Sequence, residues 1–240
     1  MRIQQRDLLV IQYLSKFKQL TSNHIRSLVF PHTASTNPLY RTLNRLAADH
    51  YLARLERRLI GGDRGGGSQA VWQLGPEGWK LTGQDGRYQP ARAIRPHTLA
   101  IADVYVSLVE LERAGRLKVL GYSTEPDCHL DITGNGTTYY LRPDLFVDLV
   151  RLDGTHMPRF IEVDMASQGQ RQITEKLSRY WHAYEVADAK QWEAATLVWF
   201  IAVDDARAEE LRWLLSRGDA EQRSLFRVMT REEMVGALSQ

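Results

Sequence analysis

Apolar residues recur at helical spacing through the first fifty positions of the chain. Leu8, Leu9, Ile11, Leu14 and Phe17 predict an amphipathic helix over about residues 6–17. Thr21 has the side chain of an N-cap for a second helix, in which Ile25, Leu28 and Val29 turn inward. The segment PHTASTNP, residues 31–38, is turn chemistry, with Thr36 or Asn37 as a cap and Pro38 suited to the first turn of a third helix. In that third helix, PLYRTLNRLAADHY, Leu39, Leu43, Leu46 and Ala47 share one side and Arg41, Asn44 and Arg45 face the other. The period then changes. YLARLERRL and QAVWQL read as strands flanking the loop IGGDRGGGS, a hairpin whose glycine run predicts a mobile tip. Three helices followed by such a hairpin spell a winged helix-turn-helix over residues 1–82.

Residues 83–96 are rich in Gly, Pro and polar side chains and read as a linker. Periodicity resumes at His97. HTLAIADVYVSLVELERAG predicts a long helix with Leu99, Val104, Leu108 and Leu111 inward and Gly115 as its stop. Strand-like segments follow: LKVLGYS, then a polar loop, TTYYL, DLFVDLVRL and RFIEVDM. Ser167 and Gln170 have the spacing of a capping box for a helix over about 168–187. The apolar run TLVWFIAV reads as a central strand, followed by a helix near 205–216, a short strand LFRVM and a last helix from Arg231. The order helix, three strands, helix, strand predicts an α/β sheet over residues 97–240, so the chain is expected to be an α+β protein of two domains.

Charge divides the chain the same way. Residues 1–95 hold 15 Lys and Arg against 6 Asp and Glu, whereas residues 96–240 hold 16 against 23. A basic first half under a net charge of only +2 points to a polyanionic partner, most simply double-stranded DNA. In a winged helix-turn-helix the third helix enters the major groove, which assigns base and phosphate contacts to Arg41, Thr42, Asn44 and Arg45. Arg57, Arg58 and Arg64 on the hairpin would meet the flanking backbone or minor groove. GGDRGGGS lacks the Gly-Lys-Ser/Thr ending of a phosphate-cradling loop, so it is read as a wing. No apolar run is long enough for a bilayer and the first residues lack a secretion signal's apolar core, so a cytoplasmic protein without membrane contact is expected. The single cysteine, Cys128, has no visible activating partner and is read as inert. No pair of histidines has zinc-ligand spacing. The aromatics Tyr180, Trp181, Tyr184 and Trp192 are assigned to packing rather than base stacking.

The chemistry lies in RFIEVDMASQ. Along a strand Glu162 and Asp164 share one face, and two buried carboxylates require a cation or donors. Asp144 opens the preceding strand, so three carboxylates can converge as hard oxygen ligands for Mg²⁺. Lys176 and Tyr180 lie four apart on the next helix and therefore on one face. RPDLFVDL followed by FIEVD resembles the PD-(D/E)xK nuclease superfamily. That resemblance implies a restriction-endonuclease-like domain in which Asp144 and Glu162 match the metal-binding acids. The family's lysine position holds Asp164, a departure that argues against hydrolysis; Lys176 could stand in for it, or simply neutralise Glu162 or Asp164 in an ion pair. Taken whole, the winged helix with PDLF, IEVD and KLSRY resembles the replication-relaxation family of plasmid and mobile-element proteins.

These readings predict a homodimeric DNA-binding protein of a plasmid or mobile element, acting in replication, relaxation or transcriptional control. Its nuclease-like domain would dimerise or contact replication or mobile-element proteins without cutting. The alternative is a Mg²⁺-dependent endonuclease or nickase using Asp144, Glu162, Asp164 and Lys176.

Overall fold

The computed structural model describes residues 3–55, 70–188, 191–193 and 196–240. It is a mixed α+β chain that divides into two compact units, residues 1–106 and 107–240.

The first unit opens with α1 (Gln5–Phe17), β1 (Leu20–Thr21), α2 (Ser22–Val29) and α3 (Asn37–Ala48), followed by β2 (Leu52–Leu55), β3 (Val71–Leu74) and α4 (Pro76–Leu81). The phase of α1 differs from the sequence expectation. Val10, Ile11, Leu14 and Phe17 are buried, whereas Leu8 and Leu9 are exposed and Asp7 turns inward. The inward turn of Asp7 has a specific reason: its carboxylate receives Arg45 of α3 at 2.5 Å. α2 starts where Thr21 predicts, with Thr21 Oγ1 accepting the His24 N–H at 3.1 Å. In α3, Leu39, Leu43 and Leu46 form the buried stripe, each contributing about 1.5–3 kcal/mol by leaving water. The strands pair in the order β1-β3-β2, all antiparallel, with Leu52 opposite Leu74. The loop between β2 and β3, with Arg57, Arg58 and Arg64, lies outside the described residues.

The segment expected as a linker is instead fastened onto the first unit. Gln73 makes a reciprocal pair with Ala91, accepting its N–H at 2.9 Å and donating to its carbonyl at 3.1 Å. Gln19 donates to the Ala93 carbonyl and accepts the Arg95 N–H. Both glutamines are buried, so their amides need these partners, and the backbone of the polar stretch supplies them. The division between units falls further on, inside α5 (Pro96–Arg113).

The second unit continues with β4 (Leu117–Thr124), β5 (Leu130–Gly134), β6 (Thr137–Leu141), β7 (Leu145–Arg151), β8 (His156–Asp164), α6 (Gln170–Val186), β9 (Leu197–Ala202), α7 (Asp205–Ser216), α8 (Ala220–Leu225), β10 (Phe226–Thr230) and α9 (Arg231–Leu238). Its main sheet has the order β10-β9-β8-β7-β4, with β8, β9 and β10 parallel and β4 and β7 antiparallel to their neighbours. β5 and β6 form a separate hairpin. Its two-residue turn, Asn135–Gly136, takes φ of 50° and 76°, the left-handed pair that favours Asn-Gly. That dipeptide was a legible hairpin signal inside a stretch read as polar loop. The helix after β8 also starts later than its sequence cap predicts: Gly169, not Ser167, is the N-cap, and Gln172 Oε1 accepts its N–H. The turn out of β8 takes up the intervening residues, with Ala166 at φ 56° and its N–H donated to Asp164 Oδ1 at 2.7 Å.

Side-chain alternation decides which way the acidic strand looks. Phe160 of β8, Phe200 of β9 and Phe226 of β10 belong to one core with Ile173 and Tyr180 of α6 and Leu211 of α7. Glu162 and Asp164 share the face of Phe160, so both point toward the layer of α6 and α7. The aromatics of α6 serve this core: Trp192 meets Phe160, Tyr180 and Tyr184 edge-on, with centroids 5.1 to 6.3 Å apart.

Candidate functional site

Glu162 is 2% exposed, and both of its carboxylate oxygens are occupied. Lys176 Nζ donates to Oε2 at 2.7 Å and the Tyr180 hydroxyl donates to Oε1 at 2.6 Å. The four-residue spacing on α6 thus brings both donors to one acid, as the sequence allowed. Burial pushes Glu162 up to about 7, and the neighbouring Asp144 adds to the rise while Lys176 pulls the other way. Burial and Glu162 likewise hold the Tyr180 phenol well above its ordinary value, so it stays a donor.

Asp144 sits on the same sheet face, just before β7. Its N–H donates to the Ile161 carbonyl at 3.0 Å, and its Oδ2 accepts the Val163 N–H at 2.7 Å. These two bonds clamp it across the strand that carries Glu162. Cys128 steadies the same turn from behind, donating its thiol to the Pro143 carbonyl at 3.0 Å. No local spacing links these two residues, which lie 15 positions apart. Burial pushes the Cys128 thiol up to about 12, and acidic neighbours add to it, so the reactive thiolate is suppressed. Native protein at pH 8 is therefore expected to resist alkylation by iodoacetamide at Cys128, with labelling appearing only in urea; rapid native labelling would contradict this geometry.

Asp164 belongs to a different arrangement. Arg207 of α7 grips it bidentately, Nε to Oδ1 at 2.8 Å and Nη2 to Oδ2 at 3.1 Å. The same guanidinium donates to the Gln168 carbonyl and to Glu210 Oε2, and both Asp164 and Arg207 are buried. Sequence reasoning did not find Arg207, because it lies 43 positions from its partner and no local spacing links them. The structure therefore joins Asp144, Glu162, Lys176 and Tyr180 and assigns Asp164 to Arg207. Among the described residues, no group of three or more His, Cys, Asp or Glu side chains is placed to hold a metal ion.

A second candidate surface is the outer side of α3. Asn37, Tyr40, Arg41 and Asn44 are exposed there, opposite the buried leucines, and Thr42 is half-buried. Tyr40 was not anticipated, although its place three residues after Asn37 and four before Asn44 puts it on their face. Arg45 is committed differently from Arg41. It pairs with Asp7, which is 1% exposed, and so ties α3 to α1.

The model of the family described as replication-relaxation matches residues 11–198. The chain belongs to the replication-relaxation family. The matched span runs from within α1 to the start of β9 and so contains Arg41, Asp144, Glu162, Asp164, Lys176 and Tyr180, but not Arg207. No curated protein and no solved structure matches this family member. None of its described helices is long and apolar enough to cross a membrane.

Proposed function

We propose that this replication-relaxation family member is a cytoplasmic DNA-binding protein of a plasmid or mobile element. In this reading the first unit is a winged helix that reads duplex DNA, and the second is a PD-(D/E)xK-like domain used for dimerisation or partner contact rather than cutting. The observation that carries the reading is α3. It anchors itself by Leu39, Leu43 and Leu46 and leaves Arg41, Asn44, Asn37 and Tyr40 facing solvent, on a half of the chain that is strongly basic. A helix so anchored, between two further helices and an antiparallel hairpin, suits insertion into a major groove. Arg41 and Asn44 supply donors for guanine and adenine edges. Thr42 supports them, and Arg57, Arg58 and Arg64, in the sequence between β2 and β3, would add phosphate contacts. Arg45, held by Asp7, sets the angle of the helix.

Selection of bound fragments from random duplex DNA, followed by gel shifts, tests this. Arg41→Ala is expected to cost about 1–3 kcal/mol of discrimination at one base position. Arg64→Ala is expected to weaken binding to every sequence and to flatten its salt dependence. If neither variant changes the shift, α3 and the hairpin are not the reading surface.

A Mg²⁺-dependent endonuclease is the second reading, favoured by Asp144, Glu162 and Lys176 standing on one sheet face. The donors do not fit a divalent cation well. Glu162 has both oxygens occupied, Asp144 is clamped by a backbone N–H, and Asp164 is held by Arg207. Supercoiled plasmid incubated with the protein and Mg²⁺ or Mn²⁺ is expected to remain supercoiled; nicking that vanishes in Glu162→Ala would establish the enzyme instead.

A further inference from the structure

We propose that a cavity in the first unit binds a small aromatic carboxylate. The cavity has a volume of about 140 Å³ and lies between α1, β3, α4 and the strapped segment that leads to α5. A space of about this size accommodates a single six-membered ring, and it is too small for a nucleotide.

Its walls combine two chemistries. One is aromatic and apolar: Trp79 and Tyr88 meet edge-on with centroids 6.1 Å apart, beside Leu14, Leu74 and Pro90. The other is cationic: Lys18 and Arg95 line the space, and no Asp or Glu does so among the described residues. The Trp79 indole nitrogen is buried and has no hydrogen-bond partner there. An indole N–H can only donate, so whatever completes it must be an acceptor. A carboxylate meets that N–H and the positive charge together, and a ring fills the apolar part. A neutral aromatic would make no use of Arg95, and an inorganic anion would leave the ring wall empty.

The site is also preformed. Gln19 and Gln73 use both ends of their amides to hold the backbone of residues 91–95, and Gln84 donates to Ser15 Oγ at 2.8 Å. Tyr88 is fixed by donating its hydroxyl to the Leu74 carbonyl at 2.9 Å. Walls held this way lose little freedom on binding, which favours a small ligand. The polar strap is thereby given a role beyond connection.

Calorimetry and ligand-observed NMR on the full chain, with benzoate, benzyl alcohol and inorganic phosphate as probes, test the site. Benzoate is expected to bind saturably at one site, with benzyl alcohol and phosphate at least about tenfold weaker. Arg95→Gln and Trp79→Phe should each weaken benzoate by roughly tenfold or more, without moving the urea midpoint in the case of Arg95→Gln, whose side chain is exposed. If Trp79→Phe disturbs folding, Arg95→Gln alone decides. Absence of saturable benzoate binding, equal binding by Arg95→Gln, or phosphate binding as tight as benzoate overturns the proposal.

Discussion

Replacing Arg207 with alanine is expected to lower the unfolding free energy by about 3–5 kcal/mol, the range for stripping one partner from a buried ion pair. The guanidinium makes four hydrogen bonds at once, two to Asp164, one to Gln168 and one to Glu210. Its removal leaves the carboxylate of Asp164, 7% exposed, with the Ala166 N–H as a donor but without its guanidinium partner. Urea denaturation of the full chain, followed by tryptophan fluorescence, reads the loss. A double replacement, Arg207→Met with Asp164→Leu, should recover most of it, because an apolar pair removes the buried charge instead of stranding it. A single variant that loses less than about 1 kcal/mol would show that the pair is solvated and unimportant.

Glu162→Gln is expected to act in the opposite direction above neutral pH. The folded carboxyl titrates at about 7 and the unfolded one near the ordinary glutamate value of 4.5. The folded state therefore holds its proton more tightly. The resulting stabilisation is fully present below 4.5 and is lost as pH rises through about 7. Each unit of displacement corresponds to about 1.4 kcal/mol, so the decline across the window amounts to a few kcal/mol. Glutamine keeps an acceptor for the Tyr180 hydroxyl and removes the buried charge, while Lys176, partly exposed, can turn to water. The variant should match the natural protein in stability near pH 4.5 and exceed it by roughly 2–3 kcal/mol at pH 8. Urea midpoints across that range measure it. Parallel profiles for the two proteins would mean that Lys176 fully offsets the burial of Glu162.

Local pattern carried much of this molecule into view. The leucine stripe of α3, the Thr21 cap, the long helix ending at Gly115 and the bounds of α7 each depend on residues within a few positions of one another. So does the meeting of Lys176 and Tyr180, since a helix fixes the spacing of its own face. Errors arose where a distant residue set the outcome. Leu8 and Leu9 look like core until Asp7 is seen turning inward to receive Arg45. The polar stretch after α4 looks like linker until Gln19 and Gln73 are seen taking its backbone groups.

Residue order alone determined that Glu162 and Asp164 share a strand face, that the basic and acidic halves are separate, and that the chain resembles the family whose model spans most of it. It could not determine what each carboxylate meets. That depends on which helix layer covers the sheet at each position. Glu162 lies beneath α6 and receives a lysine and a tyrosine, whereas Asp164, two residues on, receives Arg207 from α7. A strand of alternating acids states a need for partners, and only the packing of elements far apart in the chain supplies them.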